Sequence, residues 1–224
     1  MNLKWNKEMQ IAFQKILEID QSFKNIFNQI GFPVNRATKQ GFESLARIII
    51  GQQISTNAAK TIYSKIIKDN LLNEKEVARA NIETLKFYGL SSQKAFYLKN
   101  LATLINNNEL DIKSLSKISS EDVTNILIKI KGIGKWTINN YKIFALQDVN
   151  AWPAADLALQ ESVKIIKKLK KRPNEIEMEK IGEVWLPYRG AASLFLWHFY
   201  NKVKIEKKYI KIWSVKKNLI ELLI

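Results

Sequence analysis

The stretch Ile130-Lys131-Gly132-Ile133-Gly134-Lys135-Trp136-Thr137 limits the fold more than any other part of the chain. Ahead of it, Ser119-Ser120-Glu121-Asp122 carries the cap signal of a helix whose apolar positions are Val123, Ile126, Leu127 and Ile130. Behind it, Ile138, Tyr141, Ile143, Phe144, Ala145 and Leu146 predict a second helix. Between them the two glycines are expected to supply the positive-φ positions that a tight reversal needs, because a Cβ resists that region. Residues 120–147 therefore read as a helix-hairpin-helix. Its bare backbone and the first N–H groups of the helix at Trp136 suit an anion such as a phosphate, and Lys131 and Lys135 flank the turn with positive charge. The competing reading of these residues alone is an ordinary αα-hairpin in which Gly132 only stops a helix.

Charge favours the phosphate. The chain has 36 Lys and Arg against 21 Asp and Glu, a formal net charge of +15, so a polyanion is the expected partner, nucleic acid before an anionic membrane surface. Part of the excess is also what a Lys-, Ile- and Asn-rich composition produces. With 224 residues the chain is long enough for one large domain or two small lobes around a substantial core. It contains no cysteine and a single histidine, His198, which removes disulfides, thiolate zinc, cysteine-held iron–sulfur clusters and imidazole metal sites. No apolar run is long enough to span a bilayer and no signal-peptide core opens the chain, so a soluble, cytoplasmic protein is expected, nucleoid-associated in a prokaryote.

In chain order, Trp5 to Ile19 and Phe23 to Ile30 predict two helices, ended by Gly31-Phe32-Pro33. Phe42 to Ile50 predicts a strongly apolar helix that stops near Gly51-Gln52-Gln53-Ile54, after which Ser55 caps a helix with Ala58, Ala59, Ile62, Ile66 and Ile67 inward. Short helices around residues 73–80 and 82–88 lead to Gly89, and a longer one begins at Ser91 or Ser92. Beyond the hairpin, Asp156 to Lys171 predicts an amphipathic helix with Leu157, Val163, Ile166 and Leu169 opposite a lysine face. Helices at 175–184, from about Tyr188 to Tyr200, and from about Glu206 complete the chain. Nothing in this pattern needs a sheet, so the expected fold class is all-α, with ten or so helices.

Four stretches, spread over most of residues 40 to 200, resemble the helix-hairpin-helix (HhH-GPD) DNA glycosylase superfamily, and within it the 3-methyladenine DNA glycosylase II branch. They are Phe42-Glu43-Ser44-Leu45 with Ile50-Gly51-Gln52-Gln53-Ile54-Ser55; Gly89-Leu90-Ser91 with Lys94 and Leu98; Gly132 to Thr137 with Pro153-Ala154-Ala155-Asp156-Leu157-Ala158-Leu159; and Trp185-Leu186-Pro187-Tyr188-Arg189-Gly190 with Leu196-Trp197. The resemblance implies two helical lobes, residues 36–150 and residues 1–35 with 151–224, with DNA across the hairpin and the target base flipped into a cleft between them. It also implies a monomer acting on double-stranded DNA that contains alkylated bases. The chain begins almost at once with helices, so the extra N-terminal β-domain of some members is expected to be absent.

Residue by residue, the resemblance makes Asp156 the catalytic carboxylate. Taken alone, Asp156 is a good helix N-cap, and the two roles coexist, since unpaired N–H groups at a helix start favour the anion. Relatives that also cut the backbone carry a Schiff-base lysine where this chain has Trp136, which cannot form an imine, so a monofunctional enzyme without lyase activity is expected. Trp197 resembles a base-pocket tryptophan, and Trp136, Trp152 and Tyr188 are further candidates, because a flipped cationic purine gains from stacking and cation–π contact. Core packing is the alternative for each. Lys131, Gly132, Ile133, Gly134, Lys135 and Thr137 are expected at the DNA backbone, and Gln53 or Ile54 falls where the family inserts a wedge. No side-chain metal site is expected, and a monovalent cation on the hairpin's backbone carbonyls is left open. A structural role is expected for His198 and a solvated face for Lys164 to Arg172. The remaining alternatives are a glycosylase of the same fold for hypoxanthine, uracil or oxidised guanine, and a non-catalytic helix-hairpin-helix DNA-binding protein.

Overall fold

Side-chain caps set most helix starts. The computed structural model describes residues 4–203. Its helices are α1 (Lys7–Ile19), α2 (Gln21–Ile30), α3 (Phe42–Gly51), α4 (Thr56–Lys68), α5 (Glu74–Arg79), α6 (Ile82–Phe87), α7 (Ser92–Asn106), α8 (Ser120–Leu127), α9 (Lys135–Tyr141), α10 (Leu157–Ile166), α11 (Glu175–Gly182) and α12 (189–203). Asn6, Asp20, Ser55, Asn73, Asn81, Ser91, Ser119, Asp156 and Asn174 each accept a hydrogen bond from an N–H of the helix they precede. Each cap satisfies a donor that the helix cannot, typically worth about 1 kcal/mol. Among the described residues there is no strand, and no helix is long and apolar enough to cross a membrane. The basic helix expected from about Glu206 lies outside the described residues.

Arg36–Ala151 belongs to one compact unit, and Asn6–Asn35 with the chain from Trp152 onward to another. In the first, α3 packs against α4, α7 and α9. Leu45, Ile49, Ile50, Leu98, Leu101, Leu127, Ile138 and Tyr141 are buried together, each apolar side chain contributing about 1.5–3 kcal/mol. Burial pushes the Tyr141 phenol up to about 12, partly opposed by the Gly41 N–H that its oxygen accepts at 3.2 Å. The outward turn of Ile126, 37% exposed, departs from the expected apolar face of α8.

The hairpin turn is made by one left-handed residue and not two. Gly132 has φ +91°, whereas Gly134 has φ −99° as the extended residue before α9. The Tyr97 ring on α7 lies against Gly132 so closely that a Cβ there would come within 2.2 Å of it. The second hairpin helix is also shorter than its periodicity predicts. α9 ends at Tyr141, passes into a π-helical turn over Lys142–Leu146, and stops at Gln147 in the left-handed region. This segment holds Lys142 inside the unit, where its Nζ donates to Ser120 O at 3.1 Å and Thr124 Oγ1 at 3.3 Å and lies 3.7 Å from Asp148 Oδ2.

The second unit has an aromatic core. Phe13 meets Phe195 at 5.7 Å between ring centroids, and Phe23 meets Trp185 at 5.2 Å. Helix α10 ends at Ile166, five residues before the expected Lys171, because Lys168 adopts φ +53° and Lys167 turns its ammonium to Asp20 Oδ2 at 2.6 Å. Leu157 is 62% exposed and not inward. His198 donates from Nε2 to the Ile30 carbonyl at 3.0 Å, pinning the end of α2. Asp20 caps α2 through the Ser22 N–H and accepts the Trp185 indole N–H at 2.9 Å on the oxygen that meets Lys167. Its burial pushes the carboxyl up, but the hydrogen bonds from Lys167, Trp185 and Ser22 outweigh this and hold it at about 2.

Two measurements test these contacts. In urea titrations, Gly132→Ala is expected to lose about 2–4 kcal/mol, because its Cβ meets the Tyr97 ring at a φ that alanine resists, while Gly134→Ala stays within about 1 kcal/mol. For Asp20, the folded carboxyl lies below its unfolded value of 3.8, so its contribution is present above that value and is lost as pH falls through about 2. Melting wild type and Asp20→Asn side by side should give a difference of about 1 kcal/mol at neutral pH, discounted for solvent screening, that closes in acid.

Candidate active site

The sequence Pro153-Ala154-Ala155-Asp156 brings the chain to α10 in a tight turn, with the Asp156 N–H on Pro153 O at 2.9 Å. Asp156 is 9% exposed. Its Oδ1 accepts the N–H groups of Ala158 at 2.9 Å and Leu159 at 3.0 Å, and the indole N–H of Trp197 at 3.1 Å. Three donors from two helices, α10 and α12, therefore hold one carboxylate oxygen. Gln160 donates from Nε2 to Ala154 O at 3.0 Å and tightens the turn, and Ser162 Oγ donates to Leu196 O at 2.9 Å, tying α10 to α12 beside Trp197. The outcome is an anchored acceptor with little freedom to rotate, as a fixed charge at a developing cation requires.

Trp197 is 8% exposed, and its polar edge is turned to Asp156. That contact makes it a positioning residue for the carboxylate, a link that a gap of 41 residues hides in the sequence. Trp152, a base-pocket candidate by sequence, is packed among core residues. It is 4% exposed, donates to Met178 O at 3.2 Å and packs edge-on to Trp185 at 5.4 Å. Gly182 is small for the same reason, since a Cβ there would lie 2.9 Å from the Trp152 Nε1. Tyr188 is half-buried at the start of α12, with its carbonyl accepting the Ala192 N–H at 3.0 Å. Trp136 is half-buried on α9 and its carbonyl accepts the Asn140 side chain at 2.8 Å.

In the first unit, Lys131, Gly134 and Lys135 are exposed on the hairpin. The Lys131 ammonium stands 5.1 Å from the ring centroid of Phe96, an exposed aromatic of α7 that the sequence reading did not single out. The side chains of Ile133 and Thr137 are buried, so any contact of these two residues with a DNA backbone would be made by their main chain. The Ile133 side chain joins the core, and Thr137 Oγ1 accepts the Gln52 amide at 2.9 Å. Gln52 donates from the same nitrogen to Gly132 O at 3.0 Å. Next to it, Gln53 and Ile54 are exposed between α3 and α4, Gln53 at φ +54°. Lys94 donates to Ile50 O at 2.8 Å just before this turn, and burial lowers its pKa from the usual lysine value.

Among the described residues, no three His, Cys, Asp or Glu side chains gather as a metal site would require. A pocket of about 450 Å³ lined by Leu169, Pro173, Ile181 and neighbouring lysines contains none of the candidate residues.

Comparison with known proteins extends this picture. Residues 46–188 match the family model of the HhH-GPD superfamily base excision DNA repair proteins. DNA-3-methyladenine glycosylase 1 of Schizosaccharomyces pombe is 29% identical over 80% of this chain and 82% of its own length. An alkylbase DNA glycosidase-like protein of the same yeast, mag2, is 32% identical over 70% of this chain and 76% of its own length. Among solved structures, the S. pombe 3-methyladenine DNA glycosylase Mag1 in complex with abasic DNA is similar at a TM-score of 0.76 and 27% identity, covering 83% of this chain and 94% of that one. The 3-methyladenine DNA glycosylase of Archaeoglobus fulgidus shares the fold at a TM-score of 0.72 and 22% identity, over 84% of this chain and 68% of that one. With its glycine-turned hairpin and its anchored aspartate, and with the family model spanning more than half its length, the chain belongs to the HhH-GPD superfamily of base excision DNA repair proteins.

Proposed function

We propose that this protein is a monofunctional DNA glycosylase that removes alkylated purines such as 3-methyladenine and 7-methylguanine from double-stranded DNA, acting as a monomer inside the cell. The observation that carries the reading is the Asp156 carboxylate, held through Oδ1 by Ala158, Leu159 and Trp197. The names of the relatives point to the same substrate class.

The chemistry follows from a single fixed acid. The target nucleotide turns out of the stack, and as its C1′–N bond lengthens, positive charge collects on the sugar, where the Asp156 carboxylate stabilises it. The bonding electrons leave with the base and neutralise its alkyl-derived positive charge. An oriented water adds its oxygen to C1′ and its surplus proton passes to solvent. A glycosidase acting on a neutral leaving group needs a second carboxyl to protonate it, whereas an N-alkylated purine departs without one. Trp136 in place of a lysine leaves no amine for an imine at that position, so the product is an abasic site in an intact strand.

On the DNA side, Lys131, Lys135 and the backbone at Gly132 and Gly134 are the hairpin's phosphate contacts, and Trp136, Tyr188 and Trp197 are the aromatics offered to the base. Gln53 and Ile54 are the wedge. A monovalent cation at the hairpin would be held by its carbonyls. Gly132 O accepts the Gln52 amide, and Ile130 O accepts the Ile133 N–H at 3.0 Å.

The deciding experiment is single-turnover release of 7-methylguanine and 3-methyladenine from alkylated duplex DNA by wild type and Asp156→Asn. Asparagine caps a helix as well as aspartate does, so fold and DNA affinity should hold while the rate falls by about 100-fold or more. No release by wild type, with binding intact, would point to another lesion such as hypoxanthine or uracil. No release from any lesion would leave a non-catalytic DNA-binding protein.

A further inference from the structure

Gln52 lies at the junction of two exposed features that the proposed reaction uses in different ways. It ends α3, with its N–H on Ile49 O at 3.2 Å. Only Gln53 and Ile54 then separate it from Ser55, whose Oγ accepts the Ala58 N–H at 3.2 Å and caps α4. Gln53 is held at φ +54°, a conformation that a residue with a Cβ resists, so the surroundings must enforce it. The Gln52 side-chain amide has two hydrogens, and both are committed across the unit: one to Gly132 O at 3.0 Å, at the left-handed residue of the hairpin, the other to Thr137 Oγ1 at 2.9 Å, in the first turn of α9. Lys94 adds a second anchor on Ile50 O at 2.8 Å. A single amide thus fastens the Gln53–Ile54 turn to both sides of the hairpin.

We infer that Gln52 is a positioning residue that makes the wedge turn and the phosphate-gripping hairpin one rigid piece, so that a hold on the backbone sets the depth at which Gln53 and Ile54 enter the base stack. The inference rests on the glycosylase reading. Extruding a base costs stacking and pairing energy, and a wedge offsets that cost only if it stays in the gap. Loss of Gln52 therefore weakens base extrusion while the hairpin's grip on undamaged DNA persists. A merely structural glutamine would affect every substrate alike.

The test uses the full chain and two duplexes carrying one 7-methylguanine, opposite cytosine or opposite a tetrahydrofuran abasic analogue, where there is no pairing to break. Gln52→Ala should slow single-turnover release from the paired duplex by about 10- to 100-fold, the loss of two hydrogen bonds. On the unpaired duplex the defect should shrink to about threefold or less, and the Kd for undamaged duplex should be unchanged. Thr137→Val, which removes one acceptor with little change of shape, should give the same pattern at smaller size and serves if Gln52→Ala folds poorly. Equal slowing on both duplexes, or no slowing, with wild type active, overturns the role of Gln52 and leaves the glycosylase reading standing. No release by wild type from either duplex overturns both.

Discussion

One carboxylate oxygen ties the start of α10 to α12. Asp156 Oδ1 collects two backbone N–H groups from the start of α10 and an indole N–H from α12. A helix start supplies such donors in any case, because its first N–H groups lack intrahelical partners. What makes the arrangement particular is the third donor, which ties the acid to a second helix. Around it the chain supplies supports that have no chemistry of their own: Gln160 on Ala154 O, and Ser162 on Leu196 O. A transition-state charge is stabilised best by groups that need not move to meet it, and this shell restricts movement.

A comparable economy runs through the hairpin. Gly132 is required twice, by its left-handed φ and by the Tyr97 ring in the space a side chain would take. Its carbonyl then receives Gln52. A turn whose backbone is exposed to solvent on one side is thus braced on the other by an aromatic ring and an amide. Such bracing lets a short, basic turn hold its geometry while carrying Lys131 and Lys135 outward. The excess of positive charge elsewhere has a different fate. Lys142 is drawn inside against Asp148, and Lys167 is spent on Asp20, so a lysine in the sequence of this chain does not by itself denote a contact with DNA.

Much of the architecture was legible in the residues. Nine caps of Ser, Asn or Asp precede helices, and apolar periodicity located almost every helix. The departures have local causes. A glycine in a hairpin predicts a left-handed residue at Gly134, yet a helix N-cap residue is extended. The α10 pattern ran on to Lys171 because charges on a regular spacing continue past a helix end, and the left-handed Lys168 cannot be inferred from them. The apolar pattern predicts the hairpin's second helix as one piece because a π-helical turn barely disturbs it.

By itself the sequence determined the helical class, the glycine-turned hairpin, the lack of any cysteine, and the position of Asp156 at a helix start. Those properties rest on residue type and near-neighbour spacing, which a linear chain displays directly. Only the tertiary structure decided which side chains meet at long separation. It turned the Trp197 edge to Asp156, moved Trp152 into the core, buried Thr137 and Ile133, and brought Gln52 to Gly132 across 80 residues. An indole or an amide has the same composition whether it faces a base, a core or a carbonyl. Its role is set by the donor or acceptor that folding places within hydrogen-bond reach.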